Sequence, residues 1–107
     1  MIETIDELKS FFKEIKKEEI VFKKHFYDKK ESERAYLNEE LIFNSIKSID
    51  NLIGFQKQIV KNETLYRIGI RLSNKYTLVI VFKIEDKTLY ILTAWRTYRK
   101  WQKSIQK

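Results

Sequence analysis

Four β-rich runs follow one another in the second half of the chain, and only three or four residues separate each run from the next. The separators are Lys61–Glu63, Ser73–Lys75 and Glu85–Lys87. Connectors this short allow hairpins, whereas a parallel crossover needs about a dozen residues or more. We therefore predict an antiparallel meander formed by the runs Leu52–Val60, Leu65–Leu72, Tyr76–Ile84 and Thr88–Ala94.

The alternation within these runs predicts which residues share a face of the sheet. Arg67 and Arg71 alternate with Ile68 and Ile70, so the two arginines should lie on the face away from the main core. The third run is apolar at both odd and even positions, with Val79 among them. This pattern is typical of a central strand that is covered on both faces.

The first half of the chain predicts helices and a short strand. Residues 4–7 (Thr-Ile-Asp-Glu) have the pattern of a capping box, and apolar residues follow at helical spacing from Leu8 to Ile15. Glu19–Lys23 is short and rich in β-formers, so we interpret it as a strand. The segment His25–Tyr36 is crowded with charge and fits either a helix or an irregular connector.

A second helix is predicted to begin after Asn38, whose side chain can cap it. Glu39 and Glu40 in its first turn are favourable near the positive end of the helix dipole. Its buried stripe consists of Leu41, Ile42, Ile46 and Ile49.

The segment 95–107 predicts a basic amphipathic helix. Its apolar face carries Trp95, Tyr98, Trp101 and Ile105, and its basic face carries Arg96, Arg99, Lys100, Lys103 and Lys107. Packing on the sheet explains the aromatic stripe more simply than stacking on a ligand does. The cations instead favour a polyanion, an acidic protein or an anionic membrane surface as partner.

Composition narrows the class of protein. A chain of 107 residues fits a single domain. Without Cys and with one His it supplies neither a disulfide framework nor a zinc cluster, so we expect no metal and no cofactor. No segment has the pattern of a signal peptide or a membrane span, which favours a cytoplasmic location. The lack of Pro and Cys, with abundant Lys, Glu and Ile, leans towards a thermophilic source.

The net charge of +7 is unevenly distributed along the chain. Residues 1–50 carry ten Lys and Arg against twelve Asp and Glu, a balance of −2, and residues 51–107 carry twelve against three, a balance of +9. A concentrated positive charge speeds encounter with polyanions, so we expect nucleic acid as a partner, RNA more than DNA. The competing interpretation is a basic surface that is merely solvated.

His25 is the one histidine, and imidazole suits proton transfer near neutral pH. A single histidine without a located partner is nevertheless more often structural than catalytic. The sequence contains no phosphate-binding loop, nucleophile elbow or dinucleotide fingerprint, which argues against nucleotide hydrolysis, ester hydrolysis and redox chemistry.

The order of these features carries a family resemblance. A short strand leads into Lys24-His25, a charged stretch runs to Arg34, a helix opens at Asn38, and a meander ends at residues 91–95 (Ile-Leu-Thr-Ala-Trp) before a basic tail. Over about residues 19–101 this order resembles the RelE/ParE-like superfamily of toxin-antitoxin ribonuclease toxins, and within it the BrnT-like and DUF4258-like proteins.

The resemblance implies a single RelE-like domain over residues 1–107, in which the helix within residues 1–18 is an addition. It implies cleavage of mRNA by attack of a ribose 2′-hydroxyl on the adjacent phosphate. The residues that match the family's pattern are His25, Arg34, Arg67, Thr93, Tyr98 and Arg99. The chain departs from the family in having no Gly after Arg34 and an unusually basic end.

We therefore predict an α+β fold in which N-terminal helices pack on a four- to five-stranded antiparallel sheet, followed by the basic helix 95–107. The predicted function is that of an RNA-binding toxin-like protein, a metal-independent endoribonuclease of a toxin-antitoxin system. The predicted catalytic residues are His25, Arg67, Tyr98 and Arg99. The predicted nucleic-acid-binding residues are Arg34, Arg71, Arg96, Lys100 and Lys103.

Two other functions fit the same residues. One is a non-catalytic nucleic-acid-binding protein of viral or mobile-element origin. The other is a protein-interaction domain that docks on an acidic partner, which in a toxin system would be the antitoxin. A homodimer is also compatible with the sequence.

Overall fold

In the computed structural model, which describes residues 2–23, 39–73 and 76–98, two helices pack on one face of a five-stranded sheet. At Ile49 and Tyr98 only the backbone is described. The helices are α1 (Ile5–Glu14) and α2 (Glu39–Lys47). The strands are β1 (Ile20–Phe22), β2 (Leu52–Val60), β3 (Glu63–Arg71), β4 (Tyr76–Glu85) and β5 (Thr88–Tyr98). Short 3₁₀ turns span Lys17–Glu19 and Ile49–Asn51.

The capping box predicted at the start of α1 is confirmed. The Thr4 hydroxyl accepts a hydrogen bond from the Glu7 N–H (3.1 Å), and the Glu7 carboxylate accepts one from the Thr4 N–H (3.0 Å). These two bonds satisfy backbone donors that a helix start otherwise leaves without an intrahelical partner. The next turns bury Leu8 and Phe12 against the sheet.

The meander of β2 to β5 is also confirmed, and β4 occupies the middle of the sheet order β1-β5-β4-β3-β2. Leu78, Val79 and Ile80 of β4 are fully buried although they alternate between the two faces, as the apolar pattern predicted. The turns at residues 61–62 and 86–87 place non-glycine residues at positive φ. Asn62 and Asp86 tolerate this left-handed conformation better than most residues.

The prediction of a purely antiparallel sheet is wrong at one edge. β1 pairs in parallel with β5, with Ile20 opposite Leu89 and Phe22 opposite Ile91. The sheet is therefore mixed. No hairpin joins β1 to its neighbour, so its direction depends on a long crossover that the sequence pattern does not encode.

The prediction of a helix beginning at residue 95 is wrong for residues 95–98, which continue β5. Trp95 lies opposite Val79, and Tyr98 lies opposite Tyr76. The backbone ladder with β4 outweighs the helical spacing of the apolar side chains, because a strand edge offers partners that the local pattern does not reveal. The rest of the predicted helix, residues 99–107, and the uncertain segment His25–Tyr36 lie outside the described residues.

Aromatic packing joins α1 to the sheet. The ring of Phe82 on β4 lies 5.4 Å from the ring of Phe12 on α1 and 5.4 Å from the ring of Tyr66 on β3. The Tyr66 hydroxyl donates a hydrogen bond to the Ile2 carbonyl (3.2 Å), which ties the start of the chain to the sheet. Burial raises the pKa of the Tyr66 phenol.

Lys47 in the last turn of α2 closes the end of α1. Its ammonium group donates hydrogen bonds to the carbonyls of Phe12 and Lys13, each at 3.2 Å, and to the carbonyl of Ile15. Carbonyls at a helix end lack intrahelical donors and carry the negative end of the dipole, so a cation is favourable there. This side chain thus links the two helices, which also share one hydrophobic core.

We expect Phe12→Ala to lower the free energy of unfolding by about 3–5 kcal/mol, because it leaves a cavity between α1 and β4. The neighbouring Phe11 is only partly buried, so Phe11→Ala should cost less than about 2 kcal/mol. Urea unfolding followed by circular dichroism measures both. Equal losses for the two variants would contradict this account of the core.

Acid should weaken the start of α1. The Glu3 N–H and then the Thr4 hydroxyl and N–H hydrogen-bond the Glu7 carboxylate, and these bonds lower its pKa in the folded chain. A lowered folded-state pKa contributes stability that is present above the unfolded pKa and is lost as pH falls through the folded pKa. Glu7→Gln should therefore make the free energy of unfolding depend less on pH below about pH 4.3. Glu14→Gln, outside the capping box, is the control and should keep the wild-type slope.

Candidate functional site

The face of the sheet opposite the helices carries the predicted arginines. Tyr66, Ile68 and Ile70 of β3 lie in the core beneath the helices, so the alternating residues Arg67 and Arg71 lie on the other face. We call this the second face. The strand register and the alternation along each strand assign to it, among others, Gly54, Gln56, Gln58, Glu63, Leu65, Arg67, Gly69, Arg71, Thr77, Val79, Val81, Lys83, Glu85, Tyr90, Thr93 and Trp95.

Arg67 is held in place by a neighbouring amide. Its Nε and Nη2 atoms donate hydrogen bonds to Oε1 of Gln56, at 3.0 Å and 2.5 Å. Gln56 lies directly opposite Arg67 on β2, so the register itself creates this contact. Because an amide is neutral, this contact orients the guanidinium group without placing a negative charge beside it.

Beside Arg67 lies a cleft of about 560 Å³, and the described residues that line it include no Asp or Glu. Its walls include Gln56, Gln58 and Arg67, and its apolar residues include Leu65 and Val81. A second cleft, of about 730 Å³, lies between α1 and the hairpin turns and has the opposite character. The residues that line it include Glu7, Glu63, Glu85 and Asp86. Of these two clefts only the first suits an anionic ligand.

The chain contains two glycines, and they face each other on adjacent strands. Gly54 of β2 lies opposite Gly69 of β3, both are buried, and neither has a positive φ. Glycine inside a strand weakens it and often marks a bulge or a close approach of other groups. A shift of register lies beside this pair, between Leu52 and Gly54. The pair also removes side chains from the second face between Arg67 and Arg71.

Acidic residues of the second half cluster at one end of the sheet. Glu63 and Glu85 bind the ammonium group of Lys83 at 3.0 Å and 3.1 Å, and these hydrogen bonds raise the lysine's pKa. Asp86 lies in the adjacent turn. By register, the rows of the second face that contain Arg67 and Arg71 include no carboxylate. The positive charge of this face is therefore concentrated away from the turns at residues 61–62 and 86–87.

Arg96 is not brought together with the other two arginines. It lies opposite Leu78, a core residue, so the alternation of β5 places it on the helix side of the sheet. Its guanidinium carbon lies 4.2 Å from the centre of the Tyr76 ring, a cation–π contact. The backbone of Tyr98 ends β5, and its side chain is outside the described structure. The other predicted site residues outside the described part of the chain are His25, Arg34, Arg99, Lys100 and Lys103.

Two features of the second face were not identified from the sequence. The ammonium groups of Lys23 and Lys83 lie 5.4 Å and 5.6 Å from the centre of the Tyr90 ring. The hydroxyl of Thr93 is buried and makes no hydrogen bond within the described structure. Thr93 shares a row with Val81 and Arg67. Neither feature has a local sequence signal, since both depend on which strands become neighbours.

Among the described residues, no group of three or more His, Cys, Asp or Glu side chains could hold a metal ion, and no helix is long and apolar enough to cross a membrane. Comparison of the chain with protein-family models, curated proteins and solved structures found no match. The candidate site therefore rests on its own geometry.

We expect Thr93→Val to raise the free energy of unfolding by about 1 kcal/mol, because it removes a buried hydroxyl that has no partner. Thr93→Ser keeps the hydroxyl and removes a methyl group, so it should lower stability by roughly 1 kcal/mol. Thermal and urea unfolding measure both changes. A loss of stability in Thr93→Val would show that the hydroxyl is bonded in the folded chain.

Proposed function

We propose that this chain binds RNA through the second face of its sheet and belongs functionally with the RelE/ParE-like ribonuclease toxins. The observation that supports the proposal best is the position of Arg67 and Arg71 on one sheet face, in rows without a carboxylate. Four residues along a strand span about 13 Å, so the two guanidinium groups reach different phosphates of a bound strand.

Guanidinium groups suit this role because their planar set of N–H donors matches the oxygen atoms of a phosphate. The Gln56 amide orients the Arg67 guanidinium before any ligand arrives. This preorientation lowers the entropy lost on binding. The balance of +9 over residues 51–107 adds a long-range attraction for polyanions.

The proposed reaction is cleavage of RNA without a metal ion. The ribose 2′-oxygen forms a bond to the adjacent phosphorus, and the bond from phosphorus to the 5′-oxygen breaks. One side chain takes the 2′-hydroxyl proton and another donates a proton to the leaving oxygen, giving a 2′,3′-cyclic phosphate and a 5′-hydroxyl. In this proposal His25 or Tyr98 transfers protons, while Arg67 and Arg99 stabilise charge on the phosphate.

We expect Arg67→Gln and Arg71→Gln each to weaken binding of a mixed-sequence RNA several-fold. Each should also lower the slope of log affinity against log salt by about 1, because one phosphate contact and its released counterion are lost. The matched control is Arg96→Gln, which removes the same side chain from the opposite face and should leave the slope within error of wild type. Fluorescence anisotropy at several salt concentrations gives these values.

The same RNA, analysed for 2′,3′-cyclic phosphate ends, separates the candidate functions. Cyclic ends that disappear in Arg67→Gln and His25→Ala support the endoribonuclease. Binding without product indicates the non-catalytic nucleic-acid-binding protein. Absence of salt-dependent RNA binding favours a domain that docks on an acidic protein. Full cleavage by both variants would refute the assignment of these residues.

A further inference from the structure

Among the described strands, β2 forms a long edge of the sheet. It spans nine residues and ends the strand order, whereas β1 at the other edge spans three. An edge strand presents backbone N–H and C=O groups that can pair with another strand. After the shift of register at its start, β2 is regular from Gly54 to Val60. Seven consecutive residues therefore offer a template with regular pairing geometry.

This edge has few of the features that keep edge strands apart. The chain has no proline, and the one charged side chain within β2, Lys57, is bound at 2.6 Å by both carboxylate oxygens of Glu3. Near the end of the strand, Ile59 is 69% exposed and Val60 is 36% exposed. Protected edges usually carry free lysines, proline or inward-pointing charge instead.

The regular part of β2 is complementary to itself. An antiparallel pair centred on Lys57 places Phe55 opposite Ile59 of the second copy and Gln56 opposite its Gln58. Apolar residues then meet apolar residues on the helix side, and amides meet amides on the second face. Sliding one β2 strand along the other by two or four residues leaves fewer regular residues paired. Sliding it by an odd number of residues would place the helix side of one copy beside the second face of the other. The register centred on Lys57 uses all seven.

Glu3 reduces the charge repulsion at the centre of this register. Two lysines directly opposite each other would repel. Each Lys57 arrives with its own Glu3 carboxylate, so the centre of the pair contains two ammonium and two carboxylate groups in alternation. The contact is self-complementary, as a two-fold symmetric interface must be.

We propose that two copies of this chain associate through β2, in an antiparallel register centred on Lys57, to form one continuous ten-stranded sheet. The two-fold axis runs perpendicular to the sheet, so the helices of both copies lie on one side and both second faces on the other. The proposal does not depend on RNA binding. An interface of one strand pair is small, so we expect a dissociation constant of about 10–100 µM.

Sedimentation equilibrium from roughly 1 µM to roughly 500 µM, at physiological salt, tests the association over the range expected for small interfaces. The mass of the wild-type chain should rise from 13.1 kDa towards twice that value. Ile59→Lys should raise the dissociation constant at least tenfold without unfolding, because the side chain is largely exposed. The matched control is Val21→Lys, which introduces the same charge at the other edge and should dimerise like wild type.

Engineered cysteines test the register, since the chain contains none. Lys57→Cys should cross-link to itself with a short bismaleimide. Lys61→Cys should not, because the register separates the two copies of residue 61 by about 26 Å.

Glu3→Gln should raise the dissociation constant roughly fivefold, whereas Glu40→Gln, which breaks the separate Lys17–Glu40 pair, should not change it. A wild-type chain that stays at 13.1 kDa throughout, equal effects of Ile59→Lys and Val21→Lys, or cross-linking through residue 61 alone would overturn the proposal.

Discussion

The contact between Phe12 of α1 and Phe82 of β4 is the interaction on which the rest of the structure depends. It joins the helical layer to the central strand, and Tyr66 extends the aromatic cluster to β3. Lys47 then fixes α2 against the end of α1 through backbone carbonyls. The two helices cover one face of the sheet. On the second face, Thr77 and Val79 are buried as well, whereas Arg67 and Arg71 of the candidate site are exposed. The proposed self-association lies at the edge formed by β2.

The second face owes its electrostatic character to the placement of a few acids. The three acids of residues 51–107 are Glu63, Glu85 and Asp86, and all lie at or beside hairpin turns at one end of the sheet. Glu63 and Glu85 both bind Lys83, so these acids neutralise a lysine at their own end of the sheet. The turns place Lys, Asn and Asp residues at positive φ, where glycine would be easier. Both glycines lie instead inside the sheet, between the rows of Arg67 and Arg71.

Part of the candidate site could be predicted because it depends on local alternation. Arg67 and Arg71 share a face in any regular strand, whatever its neighbours are. The Gln56 contact, the Thr93 hydroxyl and the two lysines around Tyr90 depend on strand register, and no local pattern encodes them. The predicted grouping of Arg96 with Arg67 assumed a helix after residue 94. Strand β5 continues instead and carries Arg96 to the opposite face.

By itself, the sequence determined the elements whose causes lie within a few residues: the capping box at Thr4, the hairpins of the meander, and a central strand recognisable because it is apolar on both faces. Only the tertiary structure decided that β1 joins β5 in parallel and that residues 95–98 extend a strand. The physical reason is the same in both cases. Hydrogen bonds to another strand stabilise the backbone ladder in both cases, and for residues 95–98 they outweigh the helical spacing of the side chains.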